Sequence, residues 1–136
     1  MSASDPNAAA AALWEGDRAS QGLGIEIIEV GTGSATLTMS VRADMVNGHA
    51  LAHGGFIFTL ADSAFAFACN SHGPAAVAAQ CAITYLRPAR LGDKLTATAR
   101  EISRTGRSGI TDVSVKAGEI TIAEFRGHSR VIARAE

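Results

Sequence analysis

The central part of the chain reads HGGFIFTLADSAFAFAC over residues 53–69. Nearly every side chain after the two glycines is apolar, so a helix here is buried rather than placed on the surface. Asp62 interrupts this run, although an ionised carboxylate in apolar surroundings costs free energy unless it is paired or does chemistry. Asp is also a poor helix former, and position 62 lies too far from the helix start for capping. We therefore interpret Asp62 as functional; the alternative is a structural Asp that accepts hydrogen bonds from hydroxyl and backbone N–H groups.

The length and composition predict a single domain over residues 1–136, long enough to bury a core without disulfides or metals. Its 12 basic and 13 acidic side chains lack the basic excess typical of nucleic-acid-binding proteins. The sequence has neither a signal-peptide pattern nor an uncharged apolar run long enough for a membrane span. Cys69 and Cys81 lie in apolar surroundings, which is typical of reduced, inert thiols. We expect a soluble cytoplasmic protein with no nucleic-acid and no membrane partner.

The pattern of the chain predicts one N-terminal helix, a long central helix and six strands. Asp5-Pro6 begins the first helix, predicted over 6–20, with an N-cap and a proline at the first helical position. The central helix is predicted over 54–70. The strands are predicted over 25–30, 35–42, 75–87, 93–104, 109–117 and 120–132. Tight turns between consecutive strands are typical of an antiparallel sheet, so we expect an α+β fold whose sheet curls around the apolar helix.

A narrow polar stripe follows one face of the predicted central helix. Thr59, Asp62, Ser63 and Ala66 share that face because they lie at positions i, i+3, i+4 and i+7. Small and polar residues on a helix that is otherwise apolar indicate a cavity or an interface, with Asp62 at its centre.

The start of the central helix is suited to binding a negatively charged oxygen. The glycines of His53-Gly54-Gly55 leave backbone N–H groups unshielded at the positive end of the helix dipole. This is the geometry of an oxyanion hole for a carbonyl under attack. Two glycines can also merely shape a tight turn, but a buried acid on the same helix makes the functional interpretation much stronger.

The spacing of these two features predicts a dimer. Gly54 and Asp62 are eight positions apart, so about 12 Å of helix at 1.5 Å per residue separates them. A carbonyl polarised by one and attacked near the other needs both within roughly 3 Å. Two chains with antiparallel central helices meet this requirement. We therefore hypothesise a two-fold dimer with two active sites on the shared interface.

Two further groups of residues are candidates for binding. His49 and His53 are four residues apart, but they lie in a predicted loop with no obvious third ligand, so we predict no metal site. Arg104 and Arg107 flank a glycine turn that could hold a phosphate with guanidinium and N–H groups. The alternative for these arginines is an ordinary solvated turn.

Four motifs together resemble the hotdog-fold acyl-CoA thioesterases, most closely those of phenylacetic acid degradation. They are Asn47-Gly48-His49, His53-Gly54-Gly55, Leu60-Ala61-Asp62 and Tyr85-Leu86-Arg87-Pro88. The resemblance covers about residues 20–132. It implies a hotdog fold, a homodimer with shared active sites, a homotetramer built from two such dimers, and no cofactor beyond the coenzyme A of the substrate.

The resemblance also implies roles for individual residues. Asp62 would be the catalytic carboxylate, either as nucleophile or as general base for water. The Gly54 N–H would polarise the thioester carbonyl, and His53 and Asn47 would position the substrate and the helix start. The residues expected to bind substrate or coenzyme A are Gly55, Thr59, Ser63, Arg104 and Arg107, with the phosphates near the two arginines. Where some relatives place a Ser or Thr after the helix, this chain has 78–80 as Ala-Ala-Gln.

Three functions follow as hypotheses. The first is hydrolysis of an arylacetyl-CoA thioester, such as phenylacetyl-CoA or its ring-hydroxylated forms, since Phe56, Phe65 and Phe67 suit an aromatic acid unless they are only core packing. The second is an acyl-CoA hydratase or dehydratase of the same fold, for which His53 is the candidate base. The third is a non-catalytic acyl-CoA-binding protein.

Overall fold

Six antiparallel strands form one sheet around a central helix in the computed structural model, which describes residues 5–132. In chain order the elements are helices α1 (Pro6–Gly16) and α2 (Arg18–Gly22), strands β1 (Glu26–Gly31) and β2 (Ser34–Ser40), helix α3 (Gly54–Cys69), and strands β3 (Ala76–Tyr85), β4 (Lys94–Thr105), β5 (Ser108–Ala117) and β6 (Ile120–Val131). The strand order is β1-β2-β4-β5-β6-β3. This architecture confirms the predicted one. Residues 1–4 and 133–136 of the predicted single domain lie outside the described part of the chain.

Helix α3 is buried against the sheet as its apolar sequence predicts. Leu60, Ala61 and Ala64 have no exposed surface. The facing strand β2 contributes Leu37 and Met39 to the same core, while the more exposed Thr36 and Ser40 alternate to the other face. The helix therefore cannot change its rotation without exposing apolar surface, which fixes the direction in which Asp62 points.

The predicted helix over 6–20 is in fact two helices that meet at Asp17. α1 ends at Gly16, and α2 begins with Asp17 as its N-cap, the carboxylate accepting a hydrogen bond from the backbone N–H of Ser20 at 3.0 Å. Glycine weakens a helix at this point, and a capping Asp offers the backbone a competing arrangement. After the break, Ser20 of α2 contacts Ser63 of α3.

Strand β3 is one of the two edges of the sheet, and it leaves much of its surface open. Most of its residues are exposed, and Val77 and Tyr85 retain 48% and 46% of their surface. An edge strand presents unpaired backbone N–H and C=O groups that can pair with another chain. Because β3 also lies against the start of α3, this open edge borders the candidate site.

Candidate active site

The N-terminus of α3 carries free hydrogen-bond donors. His53 is the N-cap, but its side chain makes no capping hydrogen bond. Among residues 5–132, neither Gly54 nor Gly55 donates its N–H to a protein acceptor outside the helix. These N–H groups and the positive end of the helix dipole can bind a developing oxyanion.

The loop before α3 is held in place by Asn47. Its side-chain oxygen accepts hydrogen bonds from the N–H groups of His49 at 2.8 Å and Leu51 at 3.2 Å. The backbone N–H of His53 then donates to the Met45 carbonyl at 2.9 Å, which fixes the entry into the helix. The His53 side chain itself is exposed. Asn47 thus holds the loop that leads into α3, and its role in positioning the helix start stays a prediction.

Tyr85 contacts Gly54, which sequence reasoning missed. The Tyr85 hydroxyl donates to the Gly54 carbonyl at 2.8 Å, and this bond orients the peptide between Gly54 and Gly55. A Cβ on Gly54 would lie 2.8 Å from the ring, so glycine is needed for this close approach. Tyr85 lies 31 residues from Gly54 in sequence, and no local pattern signals the contact.

An open cavity of about 430 Å³ lies beside the N-terminus of α3. It is lined by Ala52, Gly54, Ile57, Tyr85, Leu86, Arg87, Pro88 and Ala89. Most of these side chains are apolar, which suits an uncharged acyl group. Two of the four motifs that carry the resemblance, His53-Gly54-Gly55 and Tyr85-Leu86-Arg87-Pro88, therefore contribute residues to this cavity. A third, Leu60-Ala61-Asp62, lies on the helix that borders it.

Asp62 lies in the middle of α3 and is half-buried. Burial raises the pKa of its carboxyl above the ordinary value of 3.8, and the negative charge of Asp17 raises this pKa further. No hydrogen bond from another of residues 5–132 opposes this rise. A structural Asp would have such partners, so this arrangement favours the functional interpretation of Asp62.

Two thiols lie near Asp62. Burial raises the pKa of Cys69 to about 12, with smaller contributions from nearby negative charges that include Asp62. Burial also raises the pKa of Cys81, a half-buried residue of β3, and the Asp62 charge adds to this effect. Both thiols are therefore protonated at neutral pH and unreactive.

The predicted polar stripe divides between two environments. The Thr59 hydroxyl donates to the Gly55 carbonyl at 2.9 Å within the helix. Ser63 is buried, and its hydroxyl lies 2.8 Å from that of Ser20 in α2. Asp62 and Thr59 border the more open side, while Ser63 faces the interior of the chain. Substrate binding by Gly55, Thr59 and Ser63 stays a prediction.

The predicted phosphate-binding arginines lie at the opposite end of α3 from Gly54. Arg104 and Arg107 are exposed at the turn between β4 and β5, where they line a narrow cleft with Cys69 and Glu101. The Arg107 Nε donates to the Val131 carbonyl at 3.2 Å. Within residues 5–132 no three His, Cys, Asp or Glu side chains come together as potential metal ligands. None of the helices in this part of the chain has both the length and the hydrophobicity of a membrane-spanning segment.

The chain belongs to the thioesterase superfamily, whose family model matches residues 49–124, and it is a hydrolase that acts on thioester bonds. Its fold is the hotdog fold. It is 48% identical to the acyl-coenzyme A thioesterase PaaI of Escherichia coli (strain K12) over 89% of this chain and 87% of that protein. These findings confirm the family that the four motifs indicate.

Two solved structures extend this likeness. The structure of the E. coli PaaI protein from the phenylacetic acid degradation operon has a TM-score of 0.92 and 46% identity, covering 94% of each chain. A hypothetical thioesterase from Streptococcus pneumoniae TIGR4, solved with coenzyme A, has a TM-score of 0.77 and 26% identity, covering 82% of this chain and 91% of that chain. The fold is therefore shared both with a PaaI protein and with a protein that binds coenzyme A.

Proposed function

We propose that this chain is an acyl-CoA thioesterase of the PaaI type that hydrolyses arylacetyl-CoA thioesters to the free acid and coenzyme A. One observation carries the proposal: Asp62, half-buried and with its pKa raised, lies on the same helix as the free N–H groups of Gly54 and Gly55. The name of the E. coli relative and the coenzyme A in the S. pneumoniae structure support the substrate class. The apolar cavity beside Gly54 suits an aromatic acyl group.

We infer that each active site is shared between two chains. Gly54 and Asp62 are separated by eight residues of one helix, about 12 Å, which is too far for both to reach one carbonyl. The exposed edge strand β3, next to α3, offers the surface on which a second copy can pair. A two-fold axis between antiparallel α3 helices brings the Gly54 of one chain toward the Asp62 of its partner.

The chemistry needs only these groups and water. The Gly54 N–H donates a hydrogen bond to the thioester oxygen and stabilises the negative charge that develops there. Asp62 then either attacks the carbonyl carbon, forming an anhydride that water opens, or takes a proton from a water molecule that attacks. In both routes the C–S bond breaks, coenzyme A leaves as the thiol and the acyl group becomes a carboxylic acid. His53 and Asn47 position the substrate and the helix start.

Further elements of the proposal come from the family. Arg104 and Arg107 are proposed to bind the phosphates of coenzyme A, and Gly55 and Thr59 to line the substrate site, whereas Ser63 is buried against Ser20. Two dimers are proposed to form a homotetramer that acts in the cytoplasm without a cofactor.

A thioester panel tests the substrate class. Phenylacetyl-CoA and its ring-hydroxylated forms should be hydrolysed with higher kcat/KM than benzoyl-CoA or straight-chain acyl-CoAs, because the similar E. coli PaaI protein comes from the phenylacetic acid degradation operon. Release of free thiol gives the rate, and mass spectrometry of the acid shows whether the acyl chain is unchanged. A hydrated or dehydrated acyl product would favour the hydratase alternative. Binding without turnover of any thioester would favour a non-catalytic protein.

Subunit complementation tests the shared site. Asp62→Asn and Gly54→Val are each expected to be inactive, the second because a side chain at position 54 would meet the Tyr85 ring. Random exchange of the two variants makes half of the dimers mixed, and each mixed dimer has one intact site of two. The mixture should therefore regain about a quarter of the wild-type activity. Mixed dimers that are verified by mass spectrometry and are as inactive as their parents would contradict a shared site.

A further inference from the structure

The ring of Tyr85 covers the first residue of α3 and leaves the second one open. A Cβ on Gly54 would lie 2.8 Å from both the Cζ and the hydroxyl oxygen of Tyr85. A Cβ on Gly55 would meet no atom of residues 5–132 within 4 Å beyond its chain neighbours and the backbone of its own helix. Gly54 is therefore packed against protein, whereas Gly55 faces open space that a ligand can enter.

The backbone holds Tyr85 in this place. It is the last residue of β3, and the N–H of the next residue, Leu86, donates to the Ile122 carbonyl at 2.8 Å. The segment that follows is tied to the loop before α3, since the Ala52 N–H donates to the Ala89 carbonyl at 2.8 Å. These bonds fix the ring relative to the start of the helix.

The hydrogen bond from Tyr85 to Gly54 acts on the N–H of Gly55. The Tyr85 hydroxyl donates to the Gly54 carbonyl at 2.8 Å. Partial burial raises the pKa of Tyr85 above its ordinary value of 10, so the hydroxyl keeps this proton at neutral pH. Because the peptide group is planar, fixing the carbonyl also fixes the direction of the Gly55 N–H. Linked hydrogen bonds polarise one another, so a donor on the carbonyl makes this N–H a stronger donor.

The sequence of the helix start makes such a restraint necessary. Glycine has more backbone freedom than any other residue, and helix ends fray. A capping side chain would restrain this turn but would also occupy its N–H groups. The His53 side chain makes no capping hydrogen bond. Tyr85 restrains the turn from the carbonyl side instead, which leaves the N–H groups free for a ligand.

We propose that Tyr85 is a positioning residue of the oxyanion hole: its hydroxyl aligns and polarises the peptide between Gly54 and Gly55, so that the Gly55 N–H is a second donor to the thioester oxygen beside the Gly54 N–H. This role rests on the proposed function, in which N–H groups at the start of α3 stabilise that oxygen. The negative charge on the oxygen develops in the transition state, so a well-aligned donor raises kcat more than it lowers KM.

Tyr85→Phe tests the proposal, because it removes the hydroxyl and keeps the ring over Gly54. Loss of this one hydrogen bond should lower kcat for the best thioester by about three- to tenfold and change KM little. Ser71→Ala is the matched control, since the Ser71 hydroxyl also donates to a carbonyl of α3, that of Ala68 at 2.7 Å near the opposite end of the helix. The control should lower Tm and keep the wild-type kcat. An equal loss of kcat in both variants would mean that activity follows helix stability, and would overturn the role of Tyr85.

The Gly55 amide resonance tests the same role without substrate. Residues 54 and 55 form the one Gly-Gly pair in the sequence, so glycine labelled with ¹³C at the carbonyl and with ¹⁵N isolates this peptide. Tyr85→Phe should move the Gly55 ¹⁵N resonance upfield, because the peptide is then less polarised. Tyr85 is also the one tyrosine of the chain, so ring-fluorinated tyrosine, a stronger donor, changes this position alone and should move the resonance downfield.

The outcomes separate this role from the proposed function. Folded Tyr85→Phe with the wild-type kcat, or with an unmoved Gly55 resonance, would overturn the role of Tyr85 and leave the thioesterase activity standing. Failure of the wild-type protein to hydrolyse any thioester would instead overturn the proposed function.

Discussion

Asp62→Asn is expected to lower kcat by about 10²–10⁴-fold, because the amide can neither take a proton from water nor attack the thioester carbon. The amide has nearly the shape of the carboxylate, so the fold and KM should change little. Steady-state hydrolysis of the best thioester in the panel measures the effect. A variant that keeps a kcat near that of the wild type would remove Asp62 from the mechanism.

The same substitution is expected to stabilise the protein at neutral pH. The folded state raises the pKa of Asp62 above its ordinary value of 3.8, so the folded protein holds this proton more tightly than the unfolded chain does. The contribution of Asp62 to the free energy of unfolding is therefore fully present below pH 3.8, where the carboxyl is protonated in both states. It is lost as the pH rises through the raised pKa of the folded state. Asp62→Asn should therefore have a higher Tm than the wild type at neutral pH, and this difference should disappear below pH 3.8.

Asp112→Asn is a control for which we expect the opposite change in stability at neutral pH. The hydrogen bond from Arg126 lowers the pKa of Asp112, so its contribution to stability is present above pH 3.8 and is lost as the pH falls through the lowered pKa. This variant should lose stability at neutral pH and keep the wild-type kcat. If Asp62→Asn lowered Tm at pH 7 as Asp112→Asn does, the assigned environment of Asp62 would be wrong.

Phe65→Ala is expected to lower the free energy of unfolding by about 3–5 kcal/mol, because it leaves a cavity in the core. Phe65 retains 1% of its surface, and its ring centroid lies 5.7 Å from that of Phe125. The ring also covers Gly127, where an added Cβ would lie 2.6 Å from it, so the neighbouring backbone is already in close contact.

Urea unfolding with an unchanged m-value measures this loss. Phe56→Ala, on the same helix but only partly buried, should cost clearly less. A loss below about 1 kcal/mol for Phe65→Ala would mean that the surrounding core collapses into the space.

The elements of this fold follow from local patterns in the sequence. The apolar run of α3, the alternation in β2 and the Asp5-Pro6 cap all appear in the structure within one or two residues of their predicted bounds. Each depends on neighbours a few residues apart, through helix periodicity, strand alternation or capping, so sequence alone is sufficient. Asp62 and the glycines at the start of α3 stand out for the same reason.

Contacts between distant parts of the chain were decided by the tertiary structure. The break at Asp17 matters because Ser20 meets Ser63, 43 residues away, and Tyr85 reaches Gly54 across 31 residues. No periodic pattern in the sequence predicts such pairs, because they depend on the strand order of the sheet and on the rotation of α3 against its core. The sequence alone therefore determined which residue types could do the chemistry, whereas packing decided which charges and hydroxyl groups surround them.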